Sequence, residues 1–346
     1  MKFSRLRWTA ITPDNEEAVC GEAPFYLTDA LLRIYKEGDG KVSHKLSLLW
    51  LNYKKNKAIY WMALPVVLYF LIFKYLPMYG AIIAFKDYSV GKGIWGSDWV
   101  GLQHFRDFFQ SYYFWRILKN TLVLSFYQLL FGFPAPILLA LLLNELRNEI
   151  FKRTVQTVSY IPHFISIVVI CGMIVDFSSR DGLFNTIIEY FGGQSSALLS
   201  DPANFRTIYT ASSIWQELGF SSIIYLAALS GINPELYDAA NVDGASRLRQ
   251  VWHITLPGII PMILILLILR IGGLMEIGFE KIILLYNPNV YDTADVISTF
   301  VYRKGISESA EFSYTTAVGL FQSVINFTLL IGANRLSKAI SNTKLF

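Results

Sequence analysis

Asn233–Pro261 reads NPELYDAANVDGASRLRQVWHITLPGIIP, a polar, turn-punctuated island between two of the longest apolar runs of the chain. Asn233 is of the residue type that caps helices, Pro234 suits a first helical position, and Glu235 places a carboxylate where it complements the helix dipole. A short helix is expected from Glu235 to Ala240. Ala239 and Ala240 leave one side of it low enough for another protein's backbone to approach, while Leu236 and Tyr237 offer apolar anchors. Asp243 is expected to cap a second helix and Gly244 to relax the turn before it. That helix should run from Ala245 until Pro257 and Pro261 bend it into the next apolar run. The unit reads as helix, turn, helix at a membrane face, ordered like a docking surface and not like a core.

Composition gives that face its membrane. The chain has 346 residues, 53% of them hydrophobic and only 16% charged, with a mean hydropathy of +0.41. A soluble domain of this size is far less apolar, so the class is membrane protein. The net charge of +4 is scattered, which argues against a nucleic-acid partner. Cys20 in the polar tail and Cys171 in an apolar run make no disulfide framework.

Six apolar stretches approach the roughly 20 residues that a helix needs to cross hydrocarbon. They lie at about 58–80, 121–143, 158–177, 211–231, 257–278 and 316–335. Eighteen Lys and Arg, ten of them before residue 58, fall on the side that holds the tail, the 233–256 loop and the chain from Arg335 onward; ten fall on the other side. The excess of basic residues makes both termini and the 233–256 loop cytoplasmic. The domain reading is a cytoplasmic tail at 1–57 with interfacial helices in its latter part, a six-helix domain at 58–336, and a cytoplasmic tail at 337–346. No apolar segment follows the early basic residues, so no secretory signal is expected.

Prolines and glycines recur inside the spans: Pro65 and Pro77, Gly132, Pro134 and Pro136, Pro162, Pro261, Gly272 and Gly273. Such breaks survive in lipid only where neighbouring helices or a wet cavity satisfy the freed carbonyls, so they predict bends around a pathway. Polar groups at membrane depth are costly unless they face protein or water. Arg270, near the middle of the fifth span, should pair with Glu217, Asp176 or Glu276, or line a cavity. Gln322 and Asn326 share a face of the sixth span, and Tyr127 and Gln128 lie in the second. With Trp215, these are the candidate pathway residues, able to hydrogen-bond the hydroxyls of a polar solute, against the plainer reading that they bond neighbouring helices. Lys74 snorkels.

Asp238, Ala239, Ala240, then Asp243, Gly244 and Ala245, then Ile254, Leu256 and Pro257 resemble the EAA loop of permease subunits from binding-protein-dependent ABC importers. The leading acid departs, being Asp238 where that family more often has Glu. The chain is also similar to the maltose-type carbohydrate class, and within it to permeases for larger oligosaccharides, from about Tyr60 to Leu336. LPMYGAIIAFKDYS, WVGLQHF, FGFPAPILLALLLNE, VQTVSYIPHFIS and GFEKIILLYNPNVYDTADVISTFVYRKG carry that likeness. His104 stands where the family's GLxNF has Asn. The resemblance implies an all-α fold of six transmembrane helices, half of a pseudo-twofold pair, in a bacterial cytoplasmic membrane. It further implies a second homologous permease, two ATPase subunits that hold ATP and Mg, and an extracytoplasmic sugar-binding protein. Glu235 to Ala240 with Asp243, Gly244 and Ala245 would then couple to the ATPase.

Absent motifs separate the function classes. There is no G-x-x-x-x-G-K-[ST] phosphate loop, since GDGKVS at 38–43 lacks its spacing, and no metal-ligand cluster or G-x-S-x-G nucleophile. The chain is expected to bind no cofactor and to catalyse nothing itself, conducting an oligosaccharide or polysaccharide fragment while partners supply energy. The alternative is an ion- or proton-coupled secondary sugar transporter, for which more than six spans and inverted repeats are the usual pattern.

Overall fold

The computed structural model describes residues 55–341, with side chains to 338. The described residues divide into two units, one ending at Leu76 and the other beginning at Pro77. Within the first, helix α1 (Lys57–Phe70) continues into a π-turn at Leu71–Tyr75, and none of its residues is buried. The expected tail helices lie outside the described residues, save for residues 55–57.

In the second unit an antiparallel pair, β1 (Lys86–Asp87) with β2 (Asp98–Trp99), precedes helices α2 (Gln103–Gln110) and α3 (Phe114–Tyr127). Then follow α4 (Pro134–Glu145), α5 (Glu149–Phe164), α6 (Ile167–Phe177), α7 (Leu183–Tyr190) and α8 (Pro202–Ser230). The chain goes on through α9 (Pro234–Val242), α10 (Arg247–Gln250), α11 (Leu256–Gly272) and α12 (Phe279–Leu285). It closes with α13 (Tyr291–Ala294), α14 (Ile297–Tyr302) and α15 (Phe312–Ser341). The fold is helical with membrane-type spans. Among the described residues Lys57–Phe85, Phe114–Glu145, Arg247–Gly272 and Phe312–Lys338 are long and apolar enough to cross a membrane, and α5 with α6 would make a fifth if the bent pair is one span.

The prolines shape these spans in one repeated way. Each of three π-turns, Leu71–Tyr75, Gln128–Gly132 and Val251–Thr255, ends two residues before a proline: Pro77, Pro134 and Pro257. A proline has no N–H to give its i−4 carbonyl and its ring crowds that oxygen, so a locally wider turn relieves both problems. The third sequence-expected span, 158–177, differs more. Pro162 weakens the end of α5, Ile165 and Ser166 turn extended, and α6 leaves at 99° to α5. The fifth and sixth also shift: α11 stops at Gly272, and α15 runs on to Ser341, into the stretch read as a tail.

α8 is the post around which the second unit packs. Asp201 caps it, its side chain accepting from the Ala203 N–H at 2.9 Å, and Pro202 opens it. It packs on α4 and α5 and, less extensively, on α11. Gly219 permits the α5 contact, because a Cβ there would overlap the Ser159 carbonyl. One core joins Leu124, Ile170, Ile174, Phe205, Tyr209, Ile282 and Leu285; another joins Phe108, Phe114, Ile117, Met275, Phe300 and Val318. Residues of α3, α8, α11 and α12 border one space.

Candidate functional site

That space is a cavity of about 830 Å³, of the size that ligand sites occupy. Its polar lining comes from Ser125 on α3 and Gln128 just after it, Ser213, Gln216 and Glu217 on α8, Arg270 on α11, Glu276 in the following turn, and Glu280 and Lys281 on α12. Gln128, Glu217 and Arg270, expected from sequence, therefore share one wall. Tyr127 does not line the cavity and meets Phe131 edge to face, and Trp215 turns away half exposed.

Arg270 lines the space without a hydrogen bond or ion pair among the described residues. The carboxylates proposed for it go elsewhere or stay apart. Glu217 Oε2 lies 3.1 Å from His163 Nδ1, and the His163 ring stacks on Phe220 with centroids 3.8 Å apart. Glu276 accepts from Asn326 Nδ2 at 3.2 Å. Asp176 is exposed beyond the cavity lining, its carboxylate unpaired.

Gln322 and Asn326 follow the plainer reading. One turn apart on α15, they grip the backbone of Met275: Gln322 Nε2 donates to its carbonyl at 2.8 Å and Asn326 Oδ1 accepts its N–H at 3.0 Å. Ser125 Oγ donates to the Leu274 carbonyl. The groups freed where α11 stops are thus satisfied by side chains from two other helices, which lets the chain turn at membrane depth.

Lys281 is the cavity residue that periodicity and motif reading passed over. It is 4% exposed, and its Nζ donates to Gln216 Oε1 at 3.3 Å. Burial pushes its ammonium down to about 8, against the weaker upward pull of the nearby Cys171 and Glu217. Its sequence signal was a lone lysine at the head of KIILL, and Gln216 stood beside the more conspicuous Glu217.

At the far end of α8 the 233–256 loop folds as a capped hairpin. Asn233 Oδ1 accepts the Glu235 N–H at 3.0 Å, and Asn233 Nδ2 donates to Glu235 Oε2 at 3.1 Å. No residue of α9 is buried: Leu236, Asp238 and Ala239 are exposed, and Ala240 is half-buried. Two expectations need correction. Asp243 does not cap a following helix but ends α9, its N–H donating to the Ala239 carbonyl at 3.0 Å. Gly244 follows with φ +71° and Ala245 donates back to the Ala240 carbonyl, so the next helix starts at Arg247. Tyr237 is no exposed anchor; its hydroxyl lies 3.0 Å from Thr255 Oγ1 and pins α9 to the base of α11. Arg247 pairs with Glu145 at 3.1 Å, and Gln250 donates to Asn241 at 2.7 Å.

Residues 132–342 match the model of the binding-protein-dependent transport system inner membrane component. The chain belongs to that family. It is a multi-pass membrane component, and two Bacillus subtilis (strain 168) proteins are close relatives. Protein LplB is 47% identical over 85% of this chain and 92% of its own length. The polygalacturonan/rhamnogalacturonan transport system permease protein YteP is 49% identical over 82% and 88%. Among solved structures, a chain of a bacterial alginate ABC transporter, in complex with its pentasaccharide-bound periplasmic protein, superposes with a TM-score of 0.80. It is 46% identical over 86% of this chain and 99% of that one.

This inner membrane component carries one further buried cluster, between its fifth apolar run and α15. Asp295 is wholly buried and accepts from Arg303 Nη1 at 3.1 Å and Nη2 at 2.6 Å, from Arg116 Nη2 at 3.3 Å and from Thr299 Oγ1 at 2.9 Å. Burial alone would lower the Arg303 pKa, but the hydrogen bond and charge of Asp295, with Tyr286, more than reverse that and raise it. Asn120 donates to the carbonyls of Asp292 and Asp295 and accepts from Arg206, joining α3, α8 and the loop. No periodicity flags such a cluster, because its members lie up to 187 positions apart, from Arg116 to Arg303.

Proposed function

We propose that this chain is the transmembrane permease subunit of an ATP-driven ABC importer, passing an oligosaccharide or polysaccharide fragment from an extracytoplasmic binding protein into the cytoplasm. The observation that carries the reading is the 830 Å³ cavity, with polar side chains set in a largely apolar wall, inside the fold of a transport-system membrane component. Hydroxyl-rich cargo needs many donors and acceptors at membrane depth, and Ser125, Gln128, Ser213, Gln216 and Glu217 supply them. YteP and the alginate importer, both named for polysaccharide transport, support the cargo class.

The finer reading has six spans, with α8 as the fourth and α5 with α6 as a broken third. Both termini and the 233–256 loop are cytoplasmic. The chain is non-catalytic; ATP and Mg belong to two ATPase subunits, and a second homologous permease completes the pathway. Glu235, Leu236, Asp238, Ala239, Ala240 and Gly244 on the exposed side of the hairpin form the ATPase-coupling surface, with Tyr237, Asp243 and Ala245 holding its shape. Family membership favours this over the ion-coupled secondary transporter.

Reconstitution tests it. Uptake into proteoliposomes should require ATP, the ATPase, the second permease and the binding protein together. Uptake by this chain alone under an ion gradient would refute the assignment. A Cys at Ser246 should react with an impermeant thiol reagent from the cytoplasmic side and one at Ser309 from the outside; the reverse would invert the topology.

A further inference from the structure

Helix α7 turns its apolar side outward. At 3.6 residues per turn, Leu183, Phe184, Ile187, Ile188 and Tyr190 fall within about 160° of its circumference, and Asn185, Thr186 and Glu189 fill the rest. A helix on a protein surrounded by water points the first set at the core. Here the buried residue is the amide Asn185, whereas Leu183 and Ile187 are exposed and Tyr190 is 86% exposed. Phe191, which continues the face past the end of the helix, is 80% exposed. Hydrogen bonds build in this inversion. Asn185 Nδ2 donates to the Ser179 and Ser196 carbonyls at 2.6 and 2.7 Å, and its Oδ1 accepts the Ser196 N–H at 3.1 Å. The turn before α7 and the loop after it are thereby tied to its polar side, and the apolar ridge is left uncovered among the described residues.

The end of α6 sets the level at which α7 lies. Gly182 sits so close to the last turn of α6 that a Cβ would overlap the Asp176 and Phe177 carbonyls. Phe184 meets Phe177 edge to face with centroids 5.9 Å apart, and the Leu198 N–H donates to the Ser178 carbonyl at 3.3 Å. α7 is therefore clamped where an apolar helix of a membrane component leaves the hydrocarbon. Resting on the reading of α5 with α6 as a broken span, we propose that α7 is an interfacial helix, with the face of Leu183, Ile187 and Tyr190 laid into the phospholipid surface and Glu189 toward water. Phospholipid matches the face in chemistry as well as in level. The apolar arc carries no charge or amide that a partner would have to answer, and it ends in Tyr190 and Phe191, large rings of the kind that settle among headgroups.

The test is the depth of spin labels in the complete transporter in phospholipid nanodiscs. Ile187→Cys, Tyr190→Cys and Glu189→Cys are labelled one at a time in a Cys20→Ser background, the buried Cys171 being left in place. Power saturation with oxygen and with a water-soluble nickel chelate reads the depth. The labels of Ile187→Cys and Tyr190→Cys should lie about 5–10 Å into the headgroup and acyl boundary, and that of Glu189→Cys in water. Nickel access at all three positions alike overturns the inference and puts the face in water. Shielding of Ile187→Cys and Tyr190→Cys from both reagents also overturns it, giving the face to the second permease or the binding protein. A phospholipid with a photoactivatable group guards against an effect of the labels: it should mark the 183–191 segment of the wild-type transporter, and no marking there overturns the inference. A label at Val169→Cys, on the exposed side of α6, separates the two readings. If it lies in water the broken span fails and the interfacial helix with it, whereas a deep Val169→Cys label with Ile187→Cys in water removes the interfacial helix alone.

Discussion

Arg303 and Lys281 are both buried cations in the segment that follows α11, and the chain treats them in opposite ways. Arg303 is gripped by the wholly buried Asp295 through two nitrogens, capped by Tyr291 at 4.8 Å and reached by Glu308 at 3.5 Å. Lys281 has one neutral amide at 3.3 Å. A charge matched inside its own chain holds that chain together. A charge with only a neutral partner in a cavity wall carries a burial cost that its own chain offsets little. The same contrast separates the satisfied break at Met275 from the bare surface of α9.

The largest effect that sharpens this comparison is expected at Asp295. Asp295→Ala leaves Arg303 and Arg116 facing each other in a buried site, and removing one partner of a buried pair costs about 3–5 kcal/mol. Thermal unfolding in detergent should show a loss of that order, or the permease should fail to accumulate in the membrane. A near-wild-type melting temperature would mean that solvent reaches the cluster and that it is not the clamp between α3 and α14.

Lys281→Met should shift stability in the other direction, because it removes a charge that is buried with little compensation. The sign follows from titration. With the folded ammonium at about 8 and the unfolded one near 10.5, the burial cost is full below pH 8 and is relieved as pH rises from 8 through 10.5. Lys281→Met should therefore be more stable than wild type at pH 7, by up to about 3 kcal/mol at roughly 1.4 kcal/mol per pH unit, and the gap should close by pH 10.5. Cys171 and Glu217 are the titratable groups that act on Lys281 from the helices packed beside α12, so Glu217→Gln is the control. Melting curves of the two proteins at pH 7 and pH 9.5 measure the gap. A destabilised Lys281→Met at pH 7 would place Lys281 with Arg303 as a structural charge.

A third pair of variants compares two cations of the apolar spans. Both are exposed, but Arg270 borders the cavity and Lys74 lies on the π-turn of the first unit. Arg270→Ala should cut uptake at least about tenfold, the loss of one charged hydrogen bond to cargo, with a melting temperature near wild type. Lys74→Ala should transport like wild type. Equal uptake by both would return Arg270 to the status of a solvated surface charge.

Sequence reading reached the helical membrane class, the capped start of α9 and three of the cavity residues, because each rests on a local pattern: hydropathy, cap chemistry, or a polar residue inside an apolar run. Gln322 and Asn326 were visible as a polar face, but nothing in their spacing said that the face would meet the Met275 backbone rather than a ligand. Lys281 was hidden because its meaning lies in burial and in a neighbour 65 positions away. The Asp295 cluster was hidden for the same reason, and the 99° turn at 165–166 because Pro162 announces a weakness without its angle. The Asp243 misreading shows the converse: Asp before Gly fits an N-cap by composition, yet the αL glycine that follows closes a helix.

Small effects on stability are expected at the α9 hairpin, since no residue of α9 is buried. In Ala240→Glu the added side chain stands on the half-exposed face of a surface helix, a change usually worth about 0.5 kcal/mol or less. Gly244→Asp meets open space, but a left-handed backbone at φ +71° costs a non-glycine residue about 1–2 kcal/mol. Neither touches the cavity, so cargo binding to the purified transporter should be unchanged. Their effect should fall on transmission. ATP can move a permease only through a rigid element that makes different contacts in two states, and α9 is made rigid by Asn233, by the Tyr237–Thr255 contact and by Gln250. A flat alanine face invites close backbone approach, and a new carboxylate at either position blocks it by bulk and by desolvation. Both variants should therefore insert and bind cargo normally, while losing ATPase association or cargo-stimulated ATP hydrolysis, as read by co-purification and phosphate release. If both hydrolyse ATP in response to cargo like wild type, the bare surface of α9 is not waiting for an ATPase, and unmatched groups in this permease do not mark the places where partners act.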